Sequence, residues 1–444
     1  MENDQLIYKP LIRLALPLIG GNVAQFSLSI IDTAMLGHYN PEALAASVIG
    51  GSMFFVLYLV GGGFSFAMMP MVAAFDATGQ DTQVRRATRM TLWLSLVYAF
   101  FVFPVLFWSK NILLLLGQSE EVSELAQIYL RIMSIVMFPA LIDVVFRNYL
   151  TGLKHTNIIL IATLGGLLMK VLLGWVLIYG NMGFPELGIS GAALSTLAAH
   201  VLIFFVFVIY SHKNFKRHRI FKNIWRIDYS DLKKIFFMGV PIGLTYLAES
   251  GLFSATAIMM GWLGTVELAA HGITLQLAAI TFMCHLGLSQ GATTLIGNAY
   301  GRRDPSTKLR TIGMATLIIT TCFSGVVIFF FLTVPHFLLN LFFDSSTETG
   351  QTILKLGSSL IVIAALFQLV DGLQAVGLAL LRGIQDVRIP FLYAVLCYWG
   401  IGMSTGYVLG FQFGFGGRGV WMGLVAGLTS AAIMLLWRFW NKTK

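Results

Sequence analysis

Long apolar stretches alternate with short polar breaks from one end of this chain to the other. An apolar run of 17–25 residues can cross about 30 Å of hydrocarbon as a helix, because a helix satisfies its own backbone hydrogen bonds. Read this way, the sequence predicts about twelve membrane-spanning helices. They lie near 11–36, 45–75, 88–116, 122–150, 157–179, 188–211, 235–262, 268–299, 310–342, 350–381, 388–411 and 418–440. The short alternating strands of an outer-membrane barrel are absent. The expected fold class is an all-α integral membrane protein. One break stands apart: SHKNFKRHRIFKNIWRIDYSDLKK, 211–234, is the longest polar stretch and divides the chain almost equally. The expected domains are thus a six-helix N-lobe over 1–210, a basic cytoplasmic linker over 211–234 and a six-helix C-lobe over 235–444.

Composition strengthens this reading. The chain is 57% hydrophobic and 11% charged, with a mean hydropathy of +0.80, whereas soluble domains are about 25% charged. The opening MENDQLIYKP has neither the charged n-region nor the cleavage site of a signal peptide, so the first helix is expected to be retained. The formal charge of +9 would suggest nucleic acid in a soluble protein, but its distribution argues otherwise. Basic residues gather at every second connection: Lys9 and Arg13, Arg85 to Arg89, Lys154, Lys213 to Lys234, Arg302 to Arg310, Arg382 and Arg388, and Arg438 to Lys444. The connections between them are neutral or acidic, as in GHYNPEA (37–43), GQSEEVSE (117–124), NMGFPE (181–186) and DSSTETG (344–350). By the positive-inside rule both termini and the linker face the cytoplasm. The basic residues then serve topology and contact with anionic lipid, and no nucleic-acid partner is expected.

The halves resemble each other. Pro17 opens PLIGGNVAQ and Pro241 opens PIGLTYLAE; at the same offset of 224, Gly37 matches Gly261 and Leu44 matches Leu268. An offset of 231 pairs Gly152 with Gly383, and LGISGAAL (187–194) with RGVWMGLV (418–425). Six helices separate equivalent positions, so the repeats are parallel, an architecture that secondary transporters use.

All but four of the twenty acidic residues fall in loops or at helix ends. The exceptions are Asp32, Asp143, Glu249 and Asp371, and ionisable residues inside a membrane are functional candidates because they are costly to keep there. Asp371 lies about 15 Å from the cytoplasmic end of its helix and Glu249 about 20 Å from the start of its own, so the two can approach within one lobe. Two acids close together in low dielectric repel, and one proton or one metal cation held between them relieves the repulsion. Glu249 aligns with Gln25 in the other half, so that position is polar twice but ionisable once. Asp32 and Lys170 differ in depth by roughly 7 Å, which a lysine stem nearly spans. Either they pair, which makes Asp32 a poor proton carrier, or Lys170 snorkels or faces a water-filled cavity. Asp143 and Arg147 have the i,i+4 spacing of a local pair. Arg131 has no evident partner, and His38 is expected in a loop. Cys284, Cys322 and Cys397 have no zinc or disulfide spacing and read as small core residues. There is no GxxxxGK[ST], HExxH or GxSxG, which argues against ATP and against an enzyme.

Four segments together resemble the multidrug and toxic compound extrusion (MATE) family: PLIGGNVAQ (17–25) with DTAMLG (32–37), PIGLTYLAESGLFS (241–254), GLSQGATTLIGNAYG (287–301) and VDGLQAVGLALLRGIQD (370–386). The run ESGLF with DGLQ points to its NorM-like branch. The resemblance implies a twelve-helix antiporter of the cell inner membrane, monomeric, that exports organic cation drugs and dyes in exchange for Na⁺ or H⁺ and needs no cofactor beyond that ion. It gives Glu249 and Asp371 the C-lobe cation site, Asp32 the N-lobe acidic position, and Gln25 and Tyr246 places in the substrate cavity. Lys170 and Gly174 stand where the family usually has asparagines, which favours coupling through the C-lobe. A flippase for a lipid-linked precursor, from the same superfamily, and a channel are the alternatives.

Overall fold

The computed structural model describes residues 2–342 and 348–444. The expected outer loop at 344–350 lies mostly outside them. No strand occurs among the described residues, and twelve helices are long and apolar enough to cross a membrane. The helices are α1 (Glu2–Tyr39), α2 (Pro41–Ala77), α3 (Asp81–Phe107), α4 (Ser109–Leu115), α5 (Glu120–Gly152), α6 (Asn157–Tyr179), α7 (Ile189–Asn214), α8 (Tyr229–Leu263), α9 (Thr265–Gly301), α10 (Ser306–Thr333), α11 (Pro335–Asn340), α12 (Glu348–Gly383), α13 (Arg388–Gln412) and α14 (Gly416–Lys442). Two expected spans are shorter than their apolar runs. The run 88–116 breaks at Trp108 and continues as the short α4; the run 310–342 breaks at Val334 before Pro335 and continues as α11. A proline disfavours helical geometry in the residue before it, which accounts for the second break.

The turn between α1 and α2 is a single residue. Asn40 is extended, its side-chain oxygen accepts from the Glu42 and Ala43 amides at 2.7 and 3.0 Å, and Pro41 follows at the first helical position. These are the side-chain cap and proline placement that satisfy a helix start. His38 therefore belongs to the last turn of α1, donating from Nδ1 to the Ala34 carbonyl at 2.8 Å, and not to a loop.

The chain forms two compact units, Gly20–Gly243 and Met1–Ile19 with Leu244–Lys444. These cuts differ from the expected divisions at 210 and 235. Helices α1 and α8 each pass from one unit to the other close to Pro17 and Pro241. The first stretch of α1 packs on α9: a Cβ on Gly287 would lie 2.7 Å from the Ile19 amide nitrogen. The first stretch of α8 packs on α2 in the same way, since a Cβ on Gly63 would lie 2.5 Å from the Gly239 carbonyl. The basic segment is no free linker either. Trp93 donates to the Ile224 carbonyl at 2.8 Å, Arg89 to the Asn223 carbonyl at 3.0 Å, and Arg86 pairs with Asp228 at 3.3 Å.

Within each unit the helices pack in one scheme. In the first, α5 contacts α2, α3 and α7, and α6 contacts α7; in the second, α12 contacts α9, α10 and α14, and α13 contacts α14. Leu36, Ala46, Ala126, Met137 and Ala192 are in the first core, and Leu11, Ile296, Phe367, Leu380 and Leu428 in the second. Large apolar side chains also cover the outside, Phe101, Ile161 and Phe329 among them, as expected of helices whose outer solvent is lipid. Cys322 is on that outer face and Cys284 is half-buried; only Cys397 is in the core as expected.

Candidate functional site

Helices α8, α12 and α13 assemble the acidic site of the second unit. Asp371 is buried on α12, and Glu249 is half-buried on α8. Each is near enough to act electrostatically on the buried Tyr398 of α13, and the Glu249 charge reaches Asp371. Polar residues recur along one stripe of α12, at Gln368, Asp371 and Gln374, the three-residue spacing of neighbours on a helix face. Gln368 Nε2 donates to the Ala278 carbonyl at 3.1 Å, and Gln374 Nε2 donates to the Tyr398 hydroxyl. Three acceptor oxygens on this stripe, Gln368 Oε1, Asp371 Oδ1 and Gln374 Oε1, are buried without a hydrogen-bond partner. Oxygens of this kind suit a hard cation or an added proton.

Arg382, three turns further along α12, supplies positive charge. It acts on Glu249, and its Nη1 donates to the Tyr246 hydroxyl at 3.0 Å with the guanidinium 5.2 Å from the ring centroid. Tyr246 is thus engaged with Arg382. Counted as ionised, two carboxylates and one guanidinium carry a formal charge of −1. Alongside, Gly372 lets α12 approach α9, since a Cβ there would lie 2.7 Å from the His285 ring.

The first unit answers its charges differently. Lys170 Nζ lies 2.7 Å from Asp32 Oδ2 and donates to Thr196 Oγ1 at 2.9 Å, with all three side chains buried. Gln25 is half-buried on α1, seven residues before Asp32. Asp143 and Arg147 do not form the local ion pair that their spacing suggests. Asp143 Oδ2 accepts from His200 Nδ1 at 2.9 Å, and Arg147 Nη2 donates to Asn22 Oδ1 at 2.6 Å. Both side chains turn toward neighbouring helices, α7 and α1, although each still feels the other's charge. Arg131 rests over Phe107, 5.2 Å from the ring centroid.

The structure thus brings Glu249, Asp371 and Tyr246 together in one unit, and Asp32 and Lys170 in the other. It adds Gln374, Tyr398 and Arg382 to the acidic site and His200 to Asp143. The α12 stripe was visible as a spacing. Nothing in the spacing singles out Tyr398, a tyrosine on a different helix. Among the described residues no group of three or more His, Cys, Asp or Glu side chains is arranged to hold a metal ion.

Comparison with known proteins places these features in one family. The MatE family profile matches residues 17–176 and again 241–408, two segments that start as far apart as Pro17 and Pro241. A probable multidrug resistance protein NorM of Agrobacterium fabrum is 40% identical over 437 residues, covering 97% of this chain and 93% of that protein. The protein of the same name from Rhizobium meliloti is 40% identical over 436 residues, covering 98% and 93%. Among solved structures, an outward-facing multidrug resistance MATE family transporter matches with a TM-score of 0.89 at 22% identity, over 100% of this chain and 98% of that one. The chain belongs to the MatE family.

Proposed function

We propose that this chain is a secondary multidrug efflux antiporter that carries organic cations out across the cytoplasmic membrane in exchange for Na⁺ or H⁺. The observation that carries this reading is the pair of interacting acids, Glu249 and Asp371, beside the single cation Arg382, a formal charge of −1 when both are ionised. A monovalent ion neutralises it, and so does a monovalent organic cation, so the two compete for one site and exchange follows without ATP. The unpartnered oxygens of Asp371 and Gln374 and the Tyr398 hydroxyl supply ligands for Na⁺; a shared proton serves the same two carboxylates if the ion is H⁺. Names of relatives at 40% identity support the substrate class as drugs. A lipid-precursor flippase would need several cationic side chains for its pyrophosphate, and this cluster offers two acids to one arginine.

Proteoliposomes loaded with a fluorescent organic cation test the proposal under an imposed inward Na⁺ or H⁺ gradient. Export is expected to follow one gradient and to fall at least about tenfold in Glu249→Gln and in Asp371→Asn, a loss of about 1.4 kcal/mol or more. Movement that ignores both gradients, or survives both substitutions, would favour a channel or flippase.

A further inference from the structure

Lys170 is the least expected residue of the first unit. Its side chain is 2% exposed, deep in a helix that otherwise reads NIILIATLGGLLMKVLLGWVLIY. A buried ammonium is costly unless its donors and its charge are both met. Asp32 Oδ2 meets the charge at 2.7 Å and Thr196 Oγ1 takes a second donor at 2.9 Å. Tyr129 of α5 is close enough to interact with the same carboxylate, and Asp32 Oδ1 is buried with no hydrogen-bond partner. Oxygen atoms from α1 and α7 thus meet at the ammonium, with Tyr129 of α5 beside the same carboxylate, as oxygens would around a small monovalent cation.

The neighbouring Asp143 and Arg147 have partners of their own. Asp143 and Arg147 on α5 act on each other electrostatically, His200 on α7 donates to Asp143, and Arg147 donates to Asn22. Tyr58 on α2 is close enough to Asp143 and Arg147 to feel the charge of each. Asp32 and Lys170 therefore account for each other's formal charge.

We infer that the Asp32–Thr196 pocket is a monovalent-cation cradle kept filled by the chain's own Lys170 ammonium, so that this unit holds its charge balance without exchanging an ion. Lys170 is then a built-in counter-ion, and its removal opens a cation site on Asp32. This inference stands apart from the antiport reading, because it concerns occupancy of a pocket and not transport.

The test is thermal unfolding of the purified full-length protein titrated with methylammonium, with Na⁺ and with H⁺, tetramethylammonium serving as a cation without N–H donors. Lys170→Ala is expected to unfold at a lower temperature than the parent and to recover by roughly 2–4 °C as methylammonium saturates, with no recovery from tetramethylammonium. Lys170→Ala/Asp32→Asn is expected to lose that response. Acids of the second unit are common to all these proteins, so the difference between the single and double variants reports Asp32 alone. A folded Lys170→Ala that ignores methylammonium, Na⁺ and H⁺ overturns the inference, as does an equal response in the double variant. If Lys170→Ala does not fold, Lys170→Met/Asp32→Asn decides: recovery of folded protein on removing both charges supports the pair as a self-contained unit, and failure to recover overturns it.

Discussion

His218 is in the most polar stretch of the chain and is nonetheless fully buried. Its Nδ1 is 2.6 Å from the Tyr149 hydroxyl, its ring stacks on Phe215, and Nε2 is 3.3 Å from Asp81 Oδ1. Burial first, then the Arg217 charge, lowers its affinity for a proton below that of an ordinary histidine, with Asp81 and Asp76 opposing. A histidine depressed in the folded state is protonated sooner in the unfolded one, so its contribution is complete above about pH 6.5 and is lost as pH falls below that value. Proteolysis of the 215–228 segment is therefore expected to accelerate on acidification, and His218→Gln to flatten the dependence; an unchanged profile in the variant would assign the effect to another group. The same contrast between position and partner explains how far the candidate site could be read. Glu249, Asp371, Asp32 and Lys170 announced themselves as charges inside apolar runs. The partners of Asp143 and Arg147 did not, because helix spacing reports neighbours on one helix, whereas these two reach across to His200 and Asn22 on two others.

Helices α13 and α14 meet backbone to backbone. Gly402, Gly406 and Gly410 on one face Gly419, Gly423 and Gly427 on the other, both at four-residue spacing, the arrangement that lets membrane helices approach closely. A Cβ on Gly427 would lie 2.8 Å from the Gly402 Cα, one on Gly419 2.5 Å from the Gly410 amide nitrogen, and one on Gly423 would collide with Gly406. Along this contact α13 widens into π-helical turns at Leu396–Met403 and Val408–Gln412, the first of which carries Tyr398 toward the acidic site. Gly423→Val is expected to cost about 1–3 kcal/mol or more through overpacking. Gly400→Ala, where nothing lies within 4 Å of the added methyl, should stay within about 0.5 kcal/mol. Unfolding temperatures of the two variants check this, and similar losses in both would deny the contact its special role. Helix number and order followed directly from apolar run length. The ends of α3 and α10 did not, because α4 and α11 continue the same hydrophobicity after the backbone turns. The unit boundaries were hidden for a related reason: α1 and α8 are each continuous helices, and only the packing of Gly287 on Ile19 and of Gly63 on Gly239 reveals where they change neighbours.

The family profile matching twice, and the shared packing scheme of α2, α3, α5 and α7 with α9, α10, α12 and α14, make the two halves copies of one design. Parallel copies require equivalent connections to emerge on one side of the membrane, and the basic residues predict which side. Lys216 and Lys308 are exposed in basic connections, whereas Glu121 and Glu348 are exposed at the acidic starts of α5 and α12. Lysine and arginine in short connections favour the cytoplasmic face. In a background with Cys284, Cys322 and Cys397 replaced, a membrane-impermeant maleimide is expected to label Glu121→Cys and Glu348→Cys in intact cells. Lys216→Cys and Lys308→Cys should react only after permeabilisation. Labelling of all four in the reverse sense would turn the protein over and leave the repeat intact. Labelling of Lys216→Cys and Lys308→Cys from opposite sides would be more damaging. It would require an odd number of crossings between them, make the halves inverted and not parallel, and remove the argument that equates Gln25 with Glu249. The equivalence matters because it is what makes the charge asymmetry meaningful. In two parallel copies the same depth of the same helix carries an amide in one and a carboxylate in the other, and the proposed ion exchange rests on the half that has the acid.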